Sequence, residues 1–403
     1  MDATKAAARL VTPRFALVVM VGLAYFLSLG MMLPVVPVFV TTELHGGDVA
    51  VGVVVGAFAV GSVLIRPVAG LLGDRFGRRA LIVSGAAIVG LSASLYHLTS
   101  SPAPLVAVRL LGGIGEAAFF VGAGTMVADL APPGRRGEAI SYWSVAVYGG
   151  LAFGPFLGEY LMGELGFTAV WYVASGLAAL AAVTGIFTTE TMPPDNRAAS
   201  GGRRPKLFHR SSLTAGFVLF LGMIGMAGFF AFVPLYVTDI GLTQARSVFL
   251  VYGCVVLAIR IFGARLPDAL GSLRAGTAAT GLSAAGLVIL GAIPNPVGLF
   301  CGAIVFACGI SLLYPAMLNL ALGFAHESER GSSVGTVSSF FDLSQGLGAV
   351  ILGAVAAVAG YRGVFVAGAA FALGGLMLLR GRGARSAAGG ATTGVSDRGE
   401  PVW

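Results

Sequence analysis

Residues 70–79 read Gly70-Leu71-Leu72-Gly73-Asp74-Arg75-Phe76-Gly77-Arg78-Arg79, a short, net-positive stretch set between two apolar runs. The flanking runs, about 49–72 and 80–98, match the roughly 20 residues that cross a bilayer's hydrocarbon core. A brief basic loop between two such runs is the turn of a membrane hairpin. The rest of the chain agrees. Of its 403 residues 57% are hydrophobic and 11% charged, against roughly 25% charged in an ordinary soluble domain, so its apolar surface requires lipid.

Further runs stand at 15–40, 104–129, 139–163 and 167–188, then at 213–238, 246–266, 275–293, 297–323, 332–358 and 361–379. The fold class expected is all-α and integral to a membrane, with twelve transmembrane helices. Sixty-one glycines suit it, because small residues let membrane helices approach closely. The run behind Lys5, Arg9 and Arg14 begins like a secretory leader, but it is too long for a cleaved one and is expected to stay. Cys254, Cys301 and Cys308 lack paired metal-ligand spacing and read as small packing residues.

Orientation follows from the basic side chains, which concentrate in short cytoplasmic loops. Of the 25 Lys and Arg, Arg246 and Arg362 fall on one side and Arg66, Arg109 and Arg260 within spans. All the others share the opposite side, so both termini are expected in the cytoplasm. The net charge of +7 is thereby a topology signal, and no basic domain offers itself to nucleic acid.

The chain repeats. Arg66, Asp74 and Gly77 recur as Arg260, Asp268 and Gly271, and Arg136 and Gly137 as Arg330 and Gly331, all 194 residues on. Pro37, Val40 and Thr41 recur as Pro234, Val237 and Thr238 at a shift of 197. Matches at equivalent places in a six-span unit argue for duplication. The division expected is a cytoplasmic tail 1–14, a six-helix bundle 15–188, a cytoplasmic linker 189–212, a second bundle 213–380 and a disordered cytoplasmic tail 381–403. Paired bundles on a flexible linker suit a carrier whose ligand sits between them near the midplane.

In its sequence and its place after the second span, the 70–79 stretch resembles the Gly, Leu, Asp, Arg, Gly, Arg, Arg signature of the major facilitator superfamily. The resemblance covers about residues 14–380 and implies that family's fold of two pseudo-symmetric six-helix bundles. It also implies a cytoplasmic gate, held shut when the site opens outward, at Gly70, Asp74, Arg75, Gly77, Arg78 and Arg79. Arg260, Asp268 and Gly271 form a second copy without basic residues at 272 and 273. Physically, Gly70 is expected to let helices pack closely and Gly77 to permit a tight turn. Asp74 would accept hydrogen bonds from a facing helix N-terminus or basic group. A plainer reading leaves the basic residues as topology anchors.

Span four carries Arg109, Gly112, Gly113 and Glu116 on one helix face. Charges at membrane depth line cavities or pair across helices, and the ~10 Å of rise between Arg109 and Glu116 gives each a separate partner. Arg109 matches the family's fourth-span motif, associated with proton coupling, although Gly112 replaces a frequent glutamine; a structural ion or carbonyl pair is the other reading. The Gly113–Gly115 spacing imitates a dinucleotide fingerprint, but no strand precedes it. In span five Gly150, Gly154, Pro155 and Gly158 make a flat packing strip, resembling the antiporter signature of drug/proton exchangers. Glu159 stands where a paired glycine usually closes that motif and reads as a solvated interfacial acid. Span eleven sets Ser338, Asp342 and Gln345 on one face, with Asp342 either a proton switch or a structural hydrogen-bonding group. Tyr25, Tyr148, Tyr314 and Asn319 are candidates for cargo contact, or packing.

The function these features imply is proton-coupled efflux of a small amphipathic organic compound by alternating access, with Arg109, Glu116 and Asp342 coupling the proton. The alternative is proton-coupled uptake of a small hydrophilic metabolite such as a sugar or organic acid. His45, His97, His209 and His326 are scattered over loops, which speaks against an enzyme, and a receptor would need a larger extramembrane domain. The partners expected are a small-molecule substrate, protons and the bilayer, with no cofactor, metal or nucleic acid, and a monomer. Arginine outnumbers lysine 23 to 2, which with abundant Ala and Gly suggests a GC-rich bacterium and so its cytoplasmic membrane.

Overall fold

A computed structural model of the chain describes residues 10–132, 135–192, 212–263, 270–323 and 330–391. Among them every regular element is helical. The first half holds α1 (Pro13–Thr42), α2 (Asp48–Phe76), α3 (Arg78–Leu95), α4 (Pro102–Leu130), α5 (Arg136–Leu165) and α6 (Phe167–Ile186). The second holds α7 (Leu213–Asp239), α8 (Arg246–Phe262), α9 (Ser272–Ala292), α10 (Pro296–Leu322) and a run Arg330–Ala391. Gly360, at φ 67° and ψ −178°, divides that run into α11 (330–359) and α12 (361–391). Among the described residues ten stretches are long and apolar enough to cross a membrane. One of them, 333–381, includes both α11 and much of α12, and α8, with 17 residues, is not among the ten.

Local chemistry sets the helix ends, and it carries the repeat further than the side-chain matches do. Ser101 precedes Pro102 at the start of α4, and Asn295 precedes Pro296 at the start of α10. Proline suits the first turn, where its missing N–H is no loss, and Asn295 Oδ1 accepts the Gly298 N–H at 2.9 Å. Gly77 and Gly271, at φ 100° and 78°, stop α2 and open α9. Gly166 and Gly360, at 81° and 67°, break the chain before α6 and α12. Each pair keeps the 194-residue shift.

Two boundaries differ from the sequence reading. Residues 381–391 continue as helix, where a disordered tail was expected; four alanines favour helix there and four glycines oppose it, so local propensity does not explain the extension. Residues 189–192 belong to the fold through Glu190, described below. The remainder of the expected linker, 193–211, and the ends 1–9 and 392–403 lie outside the described residues.

Within the first half α1 packs on α5 and α6, and α4 on α2 and α3; within the second, α7 packs on the α11–α12 run and α9 on α10. A buried aromatic cluster centres each half: Tyr25, Phe26, Phe119 and Trp143 in one, Phe229, Phe249, Tyr252 and Phe306 in the other. A third core joins them, bringing Val35, Val54 and Trp171 together with Phe232, Leu352 and Val364.

The halves meet chiefly along two seams, α2 with α11 and α5 with α8, with α1 also against α7. Both seams are tight toward the end remote from the 70–79 loop. A Cβ on Gly52 would lie 3.1 Å from Gly353 Cα, and one on Gly253 would lie 2.9 Å from Ala152 C. At the other end, termed the basic end here, they part. Close helix packing was expected at Gly70, but a Cβ there would meet nothing within 4 Å. Phe76 and Phe262 are 57% and 87% exposed. A glycine only permits close approach, and among the described residues nothing stands against Gly70 in this conformation.

Candidate functional site

Arg66 is the hub between the halves. It projects from α2 one turn after Ser62, and its Nη2 lies 3.1 Å from Glu116 Oε2 on α4 and donates to Ser62 Oγ at 3.2 Å. Ser62 Oγ donates in turn to Glu116 Oε2. The other amino group, Nη1, stands 2.8 Å from Asp342 Oδ2 on α11, in the opposite half. Phe120 lies against the guanidinium, 5.0 Å from its ring centre. Glu116 and Asp342 are 9% and 8% exposed. Burial makes the pairing consequential, because charges taken out of water need partners. Asp342 Oδ2 makes an ion pair but no aligned hydrogen bond, which leaves that arm the more easily broken.

The sequence reading named Glu116 and Asp342 but treated Arg66 only as a marker of the repeat. A usable signal was present, since Arg66 is an arginine at membrane depth.

Arg109 sits apart from this cluster, in the first half. Its Nε and Nη2 donate to the Val54 and Val55 carbonyls of α2 at 3.2 and 3.4 Å, and its Nη1 donates to Tyr96 Oη at 3.3 Å. Phe58 covers its face, 4.5 Å away. Gly113 allows this seam, since a Cβ there would stand 2.9 Å from Ser62 N. Arg109 therefore fixes α2 to α4 at the level that aligns Ser62 and Arg66 with Glu116.

In the second half the counterpart of Arg66 has other surroundings. Arg260, grouped by sequence with the gate, lays its guanidinium 3.5 Å from the centre of the Tyr148 ring of α5. It lines a cavity of about 30 Å³ with Tyr252, Met223, Met226, Phe230 and others, room for about one water. Of the other cargo candidates, Tyr314 Oη shares a 3.0 Å hydrogen bond with Ser338 Oγ, and Gln345 donates to Ser344 Oγ at 3.2 Å. Asn319 is half-buried on α10. Tyr25 is buried within the first half, stacked on Phe119 at 3.6 Å between ring centres. Among the described residues no group of three or more His, Cys, Asp or Glu could hold a metal.

At the basic end Gly77 makes the expected turn, and Arg78 reaches the Gly73 carbonyl at 3.2 Å and Asp129 at 3.5 Å. The residue that organises this loop was missed. Glu190 accepts the backbone N–H groups of Arg78, Arg79, Thr191 and Met192, all at 3.0–3.1 Å. Burial pushes its carboxyl up, but those four donors outweigh it and hold it below the usual carboxylate range. A side chain on Gly77 would collide with that carboxylate. Arg75 lies over the Phe76 ring at 5.3 Å, and Arg79 is exposed. The side chain of Asp74 and all of Asp268 fall outside the described residues.

The span-five strip faces α1. Cβ atoms on Gly150 and Gly154 would each stand 2.6 Å from α1 backbone, and one on Gly158 would stand 2.9 Å from Met31 Cα. Pro155 lies inside the helix. Glu159 corrects the sequence reading: it is 2% exposed, not solvated, and its Oε2 accepts the Ala245 N–H before α8 at 3.3 Å. Beside it Arg246 pairs with Glu164 at 3.0 Å. The acid is buried because α8 covers it, an arrangement that sequence position does not reveal.

The family model described as Major Facilitator Superfamily matches residues 18–335. An uncharacterized MFS-type transporter of Salmonella typhimurium is 30% identical, over 86% of this chain and 91% of that one. Multidrug resistance protein 1 of Bacillus subtilis is 27% identical, over 81% and 86%. Among solved structures, a bacterial homolog of the human lysosomal transporter Spinster, inward-facing and occupied, superposes with a TM-score of 0.74 at 18% identity, over 91% and 95%. That last likeness is one of fold.

Proposed function

The chain belongs to the major facilitator superfamily of membrane transporters, and from that premise we propose that it exports a small amphipathic organic compound in exchange for protons. In this reading all twelve helices cross the cytoplasmic membrane of a bacterium, and residues 15–188 and 213–380 form two pseudo-symmetric bundles of a monomer. Both termini and the basic end face the cytoplasm, so the conformation described is open inward. The 70–79 loop, with Arg78 braced by Asp129 and Glu190, is the half of the cytoplasmic gate that waits for the other bundle.

The observation that carries the reading is the Glu116–Arg66–Asp342 bridge. One arginine neutralises one carboxylate, and the second is neutral only with a proton bound. Excess charge at membrane depth is costly, so bridge and proton are alternatives at Asp342. A proton there removes the ion pair between the bundles at this depth and frees them to rock. Glu116 keeps Arg66 oriented meanwhile, and Arg109 positions the helix that carries it. Export, as opposed to uptake, is supported by the span-five glycine strip and by the likeness to a protein named for multidrug resistance.

Reconstituted vesicles under a pH gradient of either sense test the proposal with fluorescent amphipathic dyes. Dye is expected to move against the proton flow, and Asp342→Asn to abolish that response. Dye accumulating in the direction of proton flow would replace export by symport.

A further inference from the structure

The repeat can be applied to the charge cluster itself. A shift of 194 carries Arg66 to Arg260, Ser62 to Val256 and Glu116 to Ile310, and the reverse shift carries Asp342 to Tyr148. Every oxygen that serves Arg66 is thus replaced by hydrocarbon or by an aromatic face. Val256, Ile310 and Tyr148 all line the cavity that Arg260 enters, so the geometry of the first cluster recurs with its acceptors removed.

Arg260 is left with an unmet demand. Among the described residues no carboxylate pairs with it, and its Nε is buried without a hydrogen-bond partner. Tyr148 covers one face of the guanidinium, but the five N–H donors lie in the guanidinium plane, where a ring stacked on the face offers no acceptor. A cation in apolar surroundings at this depth calls for a counter-charge, and a guanidinium fork fits carboxylate, sulfonate or phosphate oxygens best.

We infer that Arg260 receives the anionic group of the cargo, whose apolar or aromatic body lies against Tyr148, Tyr252, Phe230 and Phe341; the substrate class is amphipathic organic anions. This rests on the transporter reading and narrows its cargo. The cavity of about 30 Å³ beside Arg260 marks where the charged group is met, and both that group and the body of the cargo enter as the bundles part.

The test compares tritiated 1-naphthylacetate with its methyl ester, two ligands of one shape and different charge, for binding to the purified full-length chain in nanodiscs. The acid is expected to bind at least about tenfold tighter, Arg260→Gln to erase the difference, and Arg260→Lys to keep part of it. Equal binding of acid and ester by the wild type, binding of neither, or an undiminished preference in Arg260→Gln overturns the inference. Should Arg260→Gln aggregate on size exclusion, the wild-type ratio decides alone. Proton-driven flux of both compounds without discrimination would remove the anion site and leave the exporter standing. A tenfold preference without proton-driven flux would do the reverse.

Discussion

Replacing Asp342 by Asn keeps its shape and removes the charge that ties α11 to α2. The ion pair spans 2.8 Å, and close charge pairs at interfaces couple by about 1.5–7 kcal/mol. The lower end applies here, because the contact lacks hydrogen-bond alignment and Arg66 retains Glu116, so no charge is stranded. About 1.5 kcal/mol changes the ratio of two conformations roughly tenfold. Spin labels at Leu165 and Thr243, exposed positions on opposite halves at the end where the bundles meet, report that ratio as a distance distribution. In the wild type a short distance should dominate at alkaline pH and lose population on acidification. Asp342→Asn should show the longer distance at every pH, with the long-to-short ratio raised about tenfold. A variant that elutes as the wild type does, yet keeps the short distance and its pH response, would refute the bridge as a control on the bundles.

Two further perturbations address the framework. Glu190→Gln should lower the melting temperature at neutral pH, since it weakens the acceptor for four backbone N–H groups. The folded-state carboxyl lies below its unfolded value, so its contribution is present above the ordinary carboxylate range and vanishes as pH falls through the folded value. The gap between variant and wild type should therefore close between about pH 7 and pH 3, and a gap constant across that range would sink the assignment. Gly154→Val should destabilise by about 1–3 kcal/mol through overpacking, because even its Cβ would stand 2.6 Å from Gly30 Cα; an unchanged melting temperature in nanodiscs would show that the α1–α5 approach is loose.

Much of the architecture was legible because it is local. Apolar runs, first-turn prolines and the turn glycines Gly77 and Gly271 act within a few residues of sequence, so each helix could be placed before any neighbour was known. The site was legible only in part. Glu116 and Asp342 announced themselves as acids in apolar helices, whereas Glu190 looked like the first residues of a linker and Glu159 like a wetted end. Both take partners from segments distant in sequence, the start of α3 for Glu190 and the start of α8, which also buries it, for Glu159.

From the sequence alone came the helices, their order, the basic loops and the duplication, since hydrophobic length and charge placement are properties of the chain itself. Which charges face one another belonged to the tertiary structure. Arg66 meets Asp342 across a sequence separation of 276 because α2 and α11 cross where two glycine-lined surfaces allow it. Arg260 meets an aromatic ring at the related place, and only the packing of the two halves could turn one repeated arginine into a bridge and the other into an open cation.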